Sequence, residues 1–97
     1  MPLQRSDSTD RLFRALLRLE SLEDCYALFD DLCTIQEVRD MSQRLETAFL
    51  LDEGMNYQQI SGAIGISTAT ISRVSRCLRY GSGGYRSAID REKEERA

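Results

Sequence analysis

Residues 56–79 read NYQQISGAIGISTATISRVSRCLR, the pattern of two short helices joined by a tight turn. Asn56 is a favourable helix N-cap, and Gln59 stands where the second member of a capping box is found. Gly65 fits the end of the first helix, because glycine adopts the left-handed backbone conformation without steric strain. Ser67 then serves as the N-cap of the second helix. The stretch therefore predicts a helix-turn-helix.

The second helix has two distinct faces at about 100° per residue. Ile71, Val74 and Leu78 share the side that is expected to face the protein interior. The opposite side carries Ala69, Ser72, Arg73, Arg76 and Tyr80. Short side chains near a helix start allow close approach to base edges in the major groove, and arginines bind guanine or phosphate. The alternative is a solvated helix in an ordinary bundle, which a polar face alone would favour.

The charge distribution favours anion binding over that alternative. The 97 residues have a net charge of −3, but residues 1–54 carry 6 Arg and 12 Asp or Glu, whereas residues 55–86 carry 4 Arg and no acid. Residues 87–97 are nearly balanced. A localised cationic segment in an otherwise acidic chain is typical of an anion-binding face.

The remaining sequence predicts four further helices. Ser8 and Ser21 are the expected N-caps of the first two, and Thr34 opens the third and longest. Gly54 ends that third helix. A flexible, glycine-rich break at 81–84 precedes a short, charged final helix. No segment alternates as a strand does, so the predicted fold is all-α with six short helices.

The predicted domain is single and spans residues 8–92, with a disordered N-terminus at 1–7 and a frayed C-terminus at 93–97. Its first two helices carry more apolar side chains than a small helix-turn-helix core requires. These are Leu12, Phe13, Leu16, Leu17, Tyr26 and Phe29. Either the two helices cover each other, or they form a homodimer interface, which is the favoured interpretation. A dimer whose recognition helices lie about 34 Å apart, one DNA turn, would read a palindrome.

Metal, membrane and enzyme functions have little support in the sequence. The chain has no His, and its three cysteines lack a C-x-x-C spacing, so we expect no metal site and free thiols in a reducing cytoplasm. Cys25 and Cys33 are expected in the core. Cys77 is expected to pack as a small apolar residue, the alternative being a redox switch favoured by nearby arginines. No apolar run is long enough to cross a membrane, and no motif predicts an enzyme or a cofactor.

In the order and spacing of its motifs, the stretch from Thr34 to Leu78 resembles the Trp-repressor family, and most closely its YerC/YecD-type branch. The shared features are Thr34 and Glu37 at the start of the third helix, Arg44 within it, Gly54 at its end, Gly65 in the turn, and residues 69–73. Outside that stretch the resemblance is mainly one of helical layout. It implies a six-helix, intertwined dimer that acts as a transcriptional repressor.

The resemblance also implies which residues read DNA. The family's DNA-reading positions correspond to Thr68, Ala69, Thr70 and Ser72, preceded by Gln58 and Gln59. From the helical periodicity, Arg73 and Arg76 are further candidates for contact with phosphate or guanine. Arg79 lies closer to the side of the helix, where simple solvation explains it equally well.

The corepressor pocket of tryptophan-sensing members corresponds to Thr34, Arg44, Arg73, Val74 and Cys77. Arg44 and Arg73 match the arginines that sandwich the indole ring, but Val74 stands at a glycine position and Cys77 at a serine position. A valine side chain would fill the slot, and a thiol is a poor replacement for a hydroxyl donor. We therefore expect no response to tryptophan. Another small-molecule effector, or none, stays open, as does a role of Arg44 in surface ion pairing.

Together these observations predict a cytoplasmic, homodimeric regulator that binds a palindromic, double-stranded DNA operator sequence-specifically and represses transcription. The alternative is a helix-turn-helix scaffold for protein–protein interaction, with the cationic helix docked on an acidic partner. The two hypotheses differ in the expected response of DNA binding to salt and to base sequence.

Overall fold

The fold consists of six α-helices in a computed structural model that describes residues 2–96. The helices are α1 (Asp7–Leu17), α2 (Leu22–Leu32), α3 (Ile35–Asp52), α4 (Tyr57–Ile64), α5 (Thr68–Tyr80) and α6 (Gly84–Arg96). The described residues contain no strand. The prediction of an all-α fold with six helices is therefore confirmed.

Serine N-caps start both N-terminal helices, although one of them is not the predicted residue. Ser6 caps α1 by accepting a hydrogen bond from the Thr9 amide at 3.1 Å. The prediction of Ser8 for this role is wrong, because Ser8 lies inside the first turn while Ser6 has the extended backbone of an N-cap. Ser21 caps α2 as predicted, accepting from the Asp24 amide at 3.0 Å.

A capping box starts α3, as the sequence predicts. The Thr34 amide donates to Glu37 Oε1 at 2.8 Å, and the Glu37 amide donates to Thr34 Oγ1 at 3.0 Å. These hydrogen bonds with Thr34 hold the pKa of Glu37 below its ordinary value, because they favour the carboxylate. Gly54, with φ at 92°, follows the end of the helix in the left-handed conformation.

The chain forms two compact units, one ending at Val38 and the other beginning at Arg39. The first contains α1, α2 and the first turn of α3, and no residue of α1 or α2 is buried. Cys25 and Cys33 are only half-buried, so the prediction that they belong to the core is wrong. A unit of about two helices is too small to enclose their side chains completely.

The second unit contains two small apolar clusters. One joins α3, α5 and α6 and consists of Ala48, Val74 and Ile89. The other lies within the helix-turn-helix and consists of Ile60, Ile66 and Ile71. Leu51 of α3 packs against both clusters. The C-terminal half of α3 therefore supports the helix-turn-helix from its apolar side.

A glycine-rich turn connects α5 to α6, where the sequence predicts a flexible break. A β-carbon at Gly81 would collide with the Cys77 carbonyl oxygen, and Gly83 has φ at 88°. Both positions therefore require glycine, which allows α6 to begin directly after the turn. The predicted frayed segment, 93–97, falls on the last turn of α6 and on Ala97, which lies outside the described residues.

Candidate nucleic-acid interface

Helices α4 and α5 form the helix-turn-helix that the sequence predicts. The Gln59 amide donates to Asn56 Oδ1 at 2.8 Å, and the Asn56 amide donates to Gln59 Oε1 at 2.9 Å, which completes the capping box. Gly65 ends α4 with φ at 68°. Ser67 then caps α5, its hydroxyl accepting from the Thr70 amide at 3.2 Å. Local hydrogen bonds thus define both helix starts on either side of the glycine turn.

The buried face of α5 is the predicted one. Ile71 is 0% and Val74 is 2% exposed, and Leu78 is half-buried against the cluster that joins α3, α5 and α6. Burial of these side chains fixes the rotation of α5 about its own axis, so the opposite side faces solvent. Gln43 of α3 adds a polar contact at the end of α4, donating from Nε2 to the Ile64 carbonyl at 3.3 Å.

The predicted DNA-contacting side chains lie at or near the surface. The exposed ones are Gln58, Gln59, Thr68, Ala69, Arg73 and Arg76, and the half-buried ones are Thr70 and Ser72. Two of these eight also make local hydrogen bonds. Gln59 Oε1 belongs to the capping box, and the Thr70 hydroxyl lies 3.0 Å from Ser67 Oγ. The side-chain NH2 group of Gln59 takes no part in the capping box and is available to a ligand.

Three arginines on α5 have no counter-ion among the described residues. Arg73, Arg76 and Arg79 are exposed, and none of them forms an ion pair within residues 2–96. By contrast, Arg86 of α6 pairs with Asp52 at 2.9 Å. The outer side of α5 therefore presents uncompensated positive charge to solvent, which is the property that a polyanion requires.

Three of the five predicted effector-pocket residues lie around a side chain that sequence reasoning missed, Tyr85 of α6. Its side chain packs against the cluster that contains Val74, and Arg44 and Cys77 are the ionisable residues that influence the pKa of its phenol. Burial raises the pKa of Tyr85, and the Arg44 charge and hydrogen bonding oppose this rise. In the sequence, Tyr85 has only the signature of an apolar position in the final helix.

The other predicted pocket residues have different surroundings. The Thr34 hydroxyl caps α3, and Arg73 is exposed. Cys77 is also exposed, so the prediction that it packs as an apolar residue is wrong; Val74 and Leu78 face the cluster, whereas Cys77 lies on a neighbouring side of α5. Arg44 forms no ion pair among the described residues, and the surface ion-pairing alternative is not observed.

The described chain shows neither a metal-binding cluster nor a membrane-spanning helix. Residues 2–96 bring together no group of three or more His, Cys, Asp or Glu side chains suited to a metal ion. None of the helices in this range combines the length and the apolar character needed to cross a bilayer.

The geometry defines the class of protein. A short capped helix, a left-handed glycine and a second helix with unpaired arginines on its outer side form a helix-turn-helix of the DNA-binding type. The sequence profile of the Trp repressor protein family matches residues 7–93. The chain belongs to this family of helix-turn-helix transcription regulators, which confirms the predicted resemblance.

Individual relatives support the assignment. YerC of Bacillus subtilis strain 168, an uncharacterised protein, is 53% identical over 90 residues, which are 93% of this chain and 86% of YerC. The crystal structure of a proposed Trp repressor from Staphylococcus aureus has a TM-score of 0.88 and 46% identity, covering 92% of this chain and 89% of that one. A TrpR-like protein from Eubacterium eligens has a TM-score of 0.89 and 43% identity, covering 92% of each chain.

Proposed function

We propose that this protein is a homodimeric, sequence-specific DNA-binding regulator that represses transcription by occupying a palindromic operator. The observation that carries the proposal is the outer side of α5, where Arg73 and Arg76 are exposed and lack any acidic partner in the described chain. Membership of the Trp repressor family supports the same function.

The distribution of side-chain sizes along α5 suits entry into a major groove. Thr68, Ala69 and Ser72 are short and lie in the first half of the helix, so the backbone is able to approach base edges closely. Arg73 and Arg76 follow on the same side, where they reach phosphate or guanine. A bidentate arginine–guanine contact discriminates against another base by about 1–3 kcal/mol.

A homodimer accounts for the apolar surface of the first unit. Leu17, Leu22 and Tyr26 are 84%, 74% and 71% exposed, and side chains of this size are rarely left in water together. Two-fold symmetry would also present two copies of α5, which is the arrangement that reads a palindrome.

The second unit offers a complementary surface for a partner copy. A groove of about 530 Å³ between α3 and α6 has apolar side chains, among them Leu45 and Phe49, and acidic ones, among them Glu46 and Glu92. Helix α1 combines its apolar side chains with basic ones, at Arg11 and Arg14. We infer that the N-terminal helices of one copy cover this groove of the other, in the intertwined arrangement that the family resemblance implies.

The proposed regulator does not respond to tryptophan. Val74 is buried in the cluster with Ala48 and Ile89, so its side chain fills the position where tryptophan-sensing members have a glycine. Cys77 supplies a thiol where they have a hydroxyl donor. Whether an effector of another kind binds among Thr34, Arg44, Arg73, Val74 and Cys77 stays open.

The test is a fluorescence-anisotropy titration with DNA from the region upstream of the protein's own coding sequence, alongside a scrambled duplex. A dimer that neutralises about six phosphates should show a log–log salt slope of about −5. Arg73→Ala/Arg76→Ala removes up to four phosphate contacts per dimer and should bring that slope to about −2. Arg73→Ala is compared singly with Arg91→Ala, which removes one exposed cation from α6 and should leave DNA affinity nearly unchanged.

The outcomes separate the two functions that the sequence allows. Duplex-selective binding that falls steeply with salt, and that is weaker and less salt-dependent in the double variant, supports the regulator. The absence of DNA binding even at low salt contradicts it and leaves the arginine side of α5 as a docking surface for an acidic protein. Equal losses in Arg73→Ala and Arg91→Ala would mean that net charge alone, and not α5, governs DNA binding.

A further inference from the structure

Tyr85 of α6 packs where α6 meets α3 and α5. Its side chain is half-buried and packs against the cluster of Ala48 of α3, Val74 of α5 and Ile89 of its own helix. Arg44 lies one helical turn before Ala48, and its charge and hydrogen bonding act to lower the pKa of the Tyr85 phenol. The Tyr85 side chain therefore has an apolar floor for its ring and a cation for its oxygen, which is how a binding pocket receives a small aromatic ligand.

The backbone around Tyr85 keeps the ring in this position. On its N-terminal side, the turn from α5 is tight and requires glycine at Gly81 and Gly83. On its C-terminal side, Arg86 pairs with Asp52 of α3 at 2.9 Å. The chain is thus constrained on both sides of Tyr85. Its ring therefore occupies the site without the loss of translational freedom that a free ligand would suffer.

We propose that Tyr85 is a built-in aromatic ligand of the site formed by Arg44, Val74 and Cys77, and that its phenol positions the recognition helix α5 on α3. The inference rests on the proposed function to the extent that operator binding is its readout. It extends that function because the DNA-binding geometry is then set by a side chain of the chain itself, with no small aromatic effector required. Tyr85 is thus a positioning residue, acting on DNA through α5.

The first test removes the ring and supplies it again from solution. Tyr85→Ala should lower operator affinity at least about tenfold, because α5 loses its contact with the phenol. p-Cresol has the structure of the missing side chain and should restore most of that affinity, since a cavity of this shape accepts an aromatic molecule. Tyr80→Ala removes a tyrosine that is 82% exposed on α5, and p-cresol should have no effect on that variant or on the wild type.

A second readout does not depend on DNA. Tyr85→Ala should bind p-cresol saturably, measured as chemical-shift changes in the methyl groups of Val74 and Ile89, whereas the wild type should not. If Tyr85→Ala does not fold, Tyr85→Leu keeps apolar packing but leaves space beside Arg44, and the same titration is made with it. If the wild-type protein binds no duplex, that result contradicts the proposed function alone. The p-cresol titration then still tests whether Tyr85 occupies an aromatic site.

Two results overturn the inference. One is an operator affinity of folded Tyr85→Ala or Tyr85→Leu that equals the wild-type value. The other is the lack of saturable p-cresol binding to the folded variant. A loss of affinity that p-cresol does not reverse, in a variant that binds p-cresol, also contradicts it, because occupancy of the site would then have no connection with the position of α5.

Discussion

Asp52 connects the end of α3 with α6. Its two carboxylate oxygens pair with Arg86 at 2.9 Å and with Lys93 at 2.6 Å. Hydrogen bonds from Lys93 and Arg86 hold the pKa of Asp52 below its ordinary value of 3.8, because they favour the ionised form. The Asp52 side chain is 13% exposed, but its partners are 43% and 63% exposed, so solvent screens both pairs. Their contribution to stability is therefore expected to be small.

The pH dependence of stability should report this carboxylate. A pKa that is lower in the folded chain means that the stabilisation is fully present above about pH 4 and is lost as the pH falls through the folded value. Asp52→Asn removes the titrating group. Urea unfolding at pH 7 and pH 3 should therefore show a smaller difference in unfolding free energy for Asp52→Asn than for the wild type. Asp90→Asn is the control, since Asp90 shares Arg86 at 3.4 Å and is 51% exposed; an equal effect in both variants would remove Asp52 from this role.

Some side chains of the candidate interface have both a structural role and a predicted DNA-binding role. Gln59 and Thr70, predicted to contact DNA, each take part in local hydrogen bonds at a helix start. Sequence patterns identify such residues for either task, because capping and base reading both require short polar groups near a helix N-terminus. Loss of DNA binding after substitution of Gln59 or Thr70 must therefore be compared with loss of helix stability.

At the scale of elements, the connection between α4 and α5 depends on one backbone conformation. Gly65 has φ at 68°, and a β-carbon there would meet no atom within 4 Å. The strain of another residue at this position is therefore conformational and not steric contact with neighbours. Gly62, inside α4, also has open space around its missing β-carbon but shows no positive φ. Gly65 and Gly62 therefore differ in backbone conformation but not in the space around the missing β-carbon.

The same substitution at these glycines should have opposite effects. Gly65→Ala should lower the free energy of unfolding by about 1 kcal/mol, because alanine is disfavoured in the left-handed region. Gly62→Ala should raise it by up to about 1 kcal/mol, because alanine is the better helix former. Thermal and urea denaturation of both variants provide the measurement. Destabilisation of similar size in both would show that packing, and not backbone conformation, determines the outcome.

At the scale of the whole molecule, exposed apolar side chains indicate a partner. Leu17 at the end of α1 is 84% exposed, so replacing it removes little packing within one chain. Leu17→Asp should weaken self-association, because a carboxylate would have to be buried in the proposed dimer interface. Sedimentation equilibrium should give twice the 11.1 kDa chain mass for the wild type and a lower mass for the variant at the same concentration.

The control for this experiment is Ser8→Asp, which adds the same charge to the first turn of α1. An acidic residue is favourable there, so the dimer should persist. A wild-type protein that sediments as a monomer at every concentration would contradict the proposed dimer, and the apolar sides of α1 and α2 would then need another partner.

The sequence by itself determined the six helices, the position of the helix-turn-helix and the buried side of α5. Each of these depends on contacts between residues three or four positions apart, and such contacts repeat in the sequence as caps, glycines and apolar spacing. Where two serines compete for one cap, as Ser6 and Ser8 do, the local pattern does not decide between them. The start of the first helix was therefore not determined by the sequence alone.

Only the tertiary structure decided which distant side chains meet. Tyr85 approaches Arg44 from 41 positions further along the chain, and Arg86 reaches Asp52 across 34 positions. No periodic pattern encodes such pairs, because they depend on the rotation of each helix and on where the turn at Gly81 directs α6. Burial in a shared cluster, with Ala48, Val74 and Ile89 at its centre, fixes those rotations and brings the pairs together.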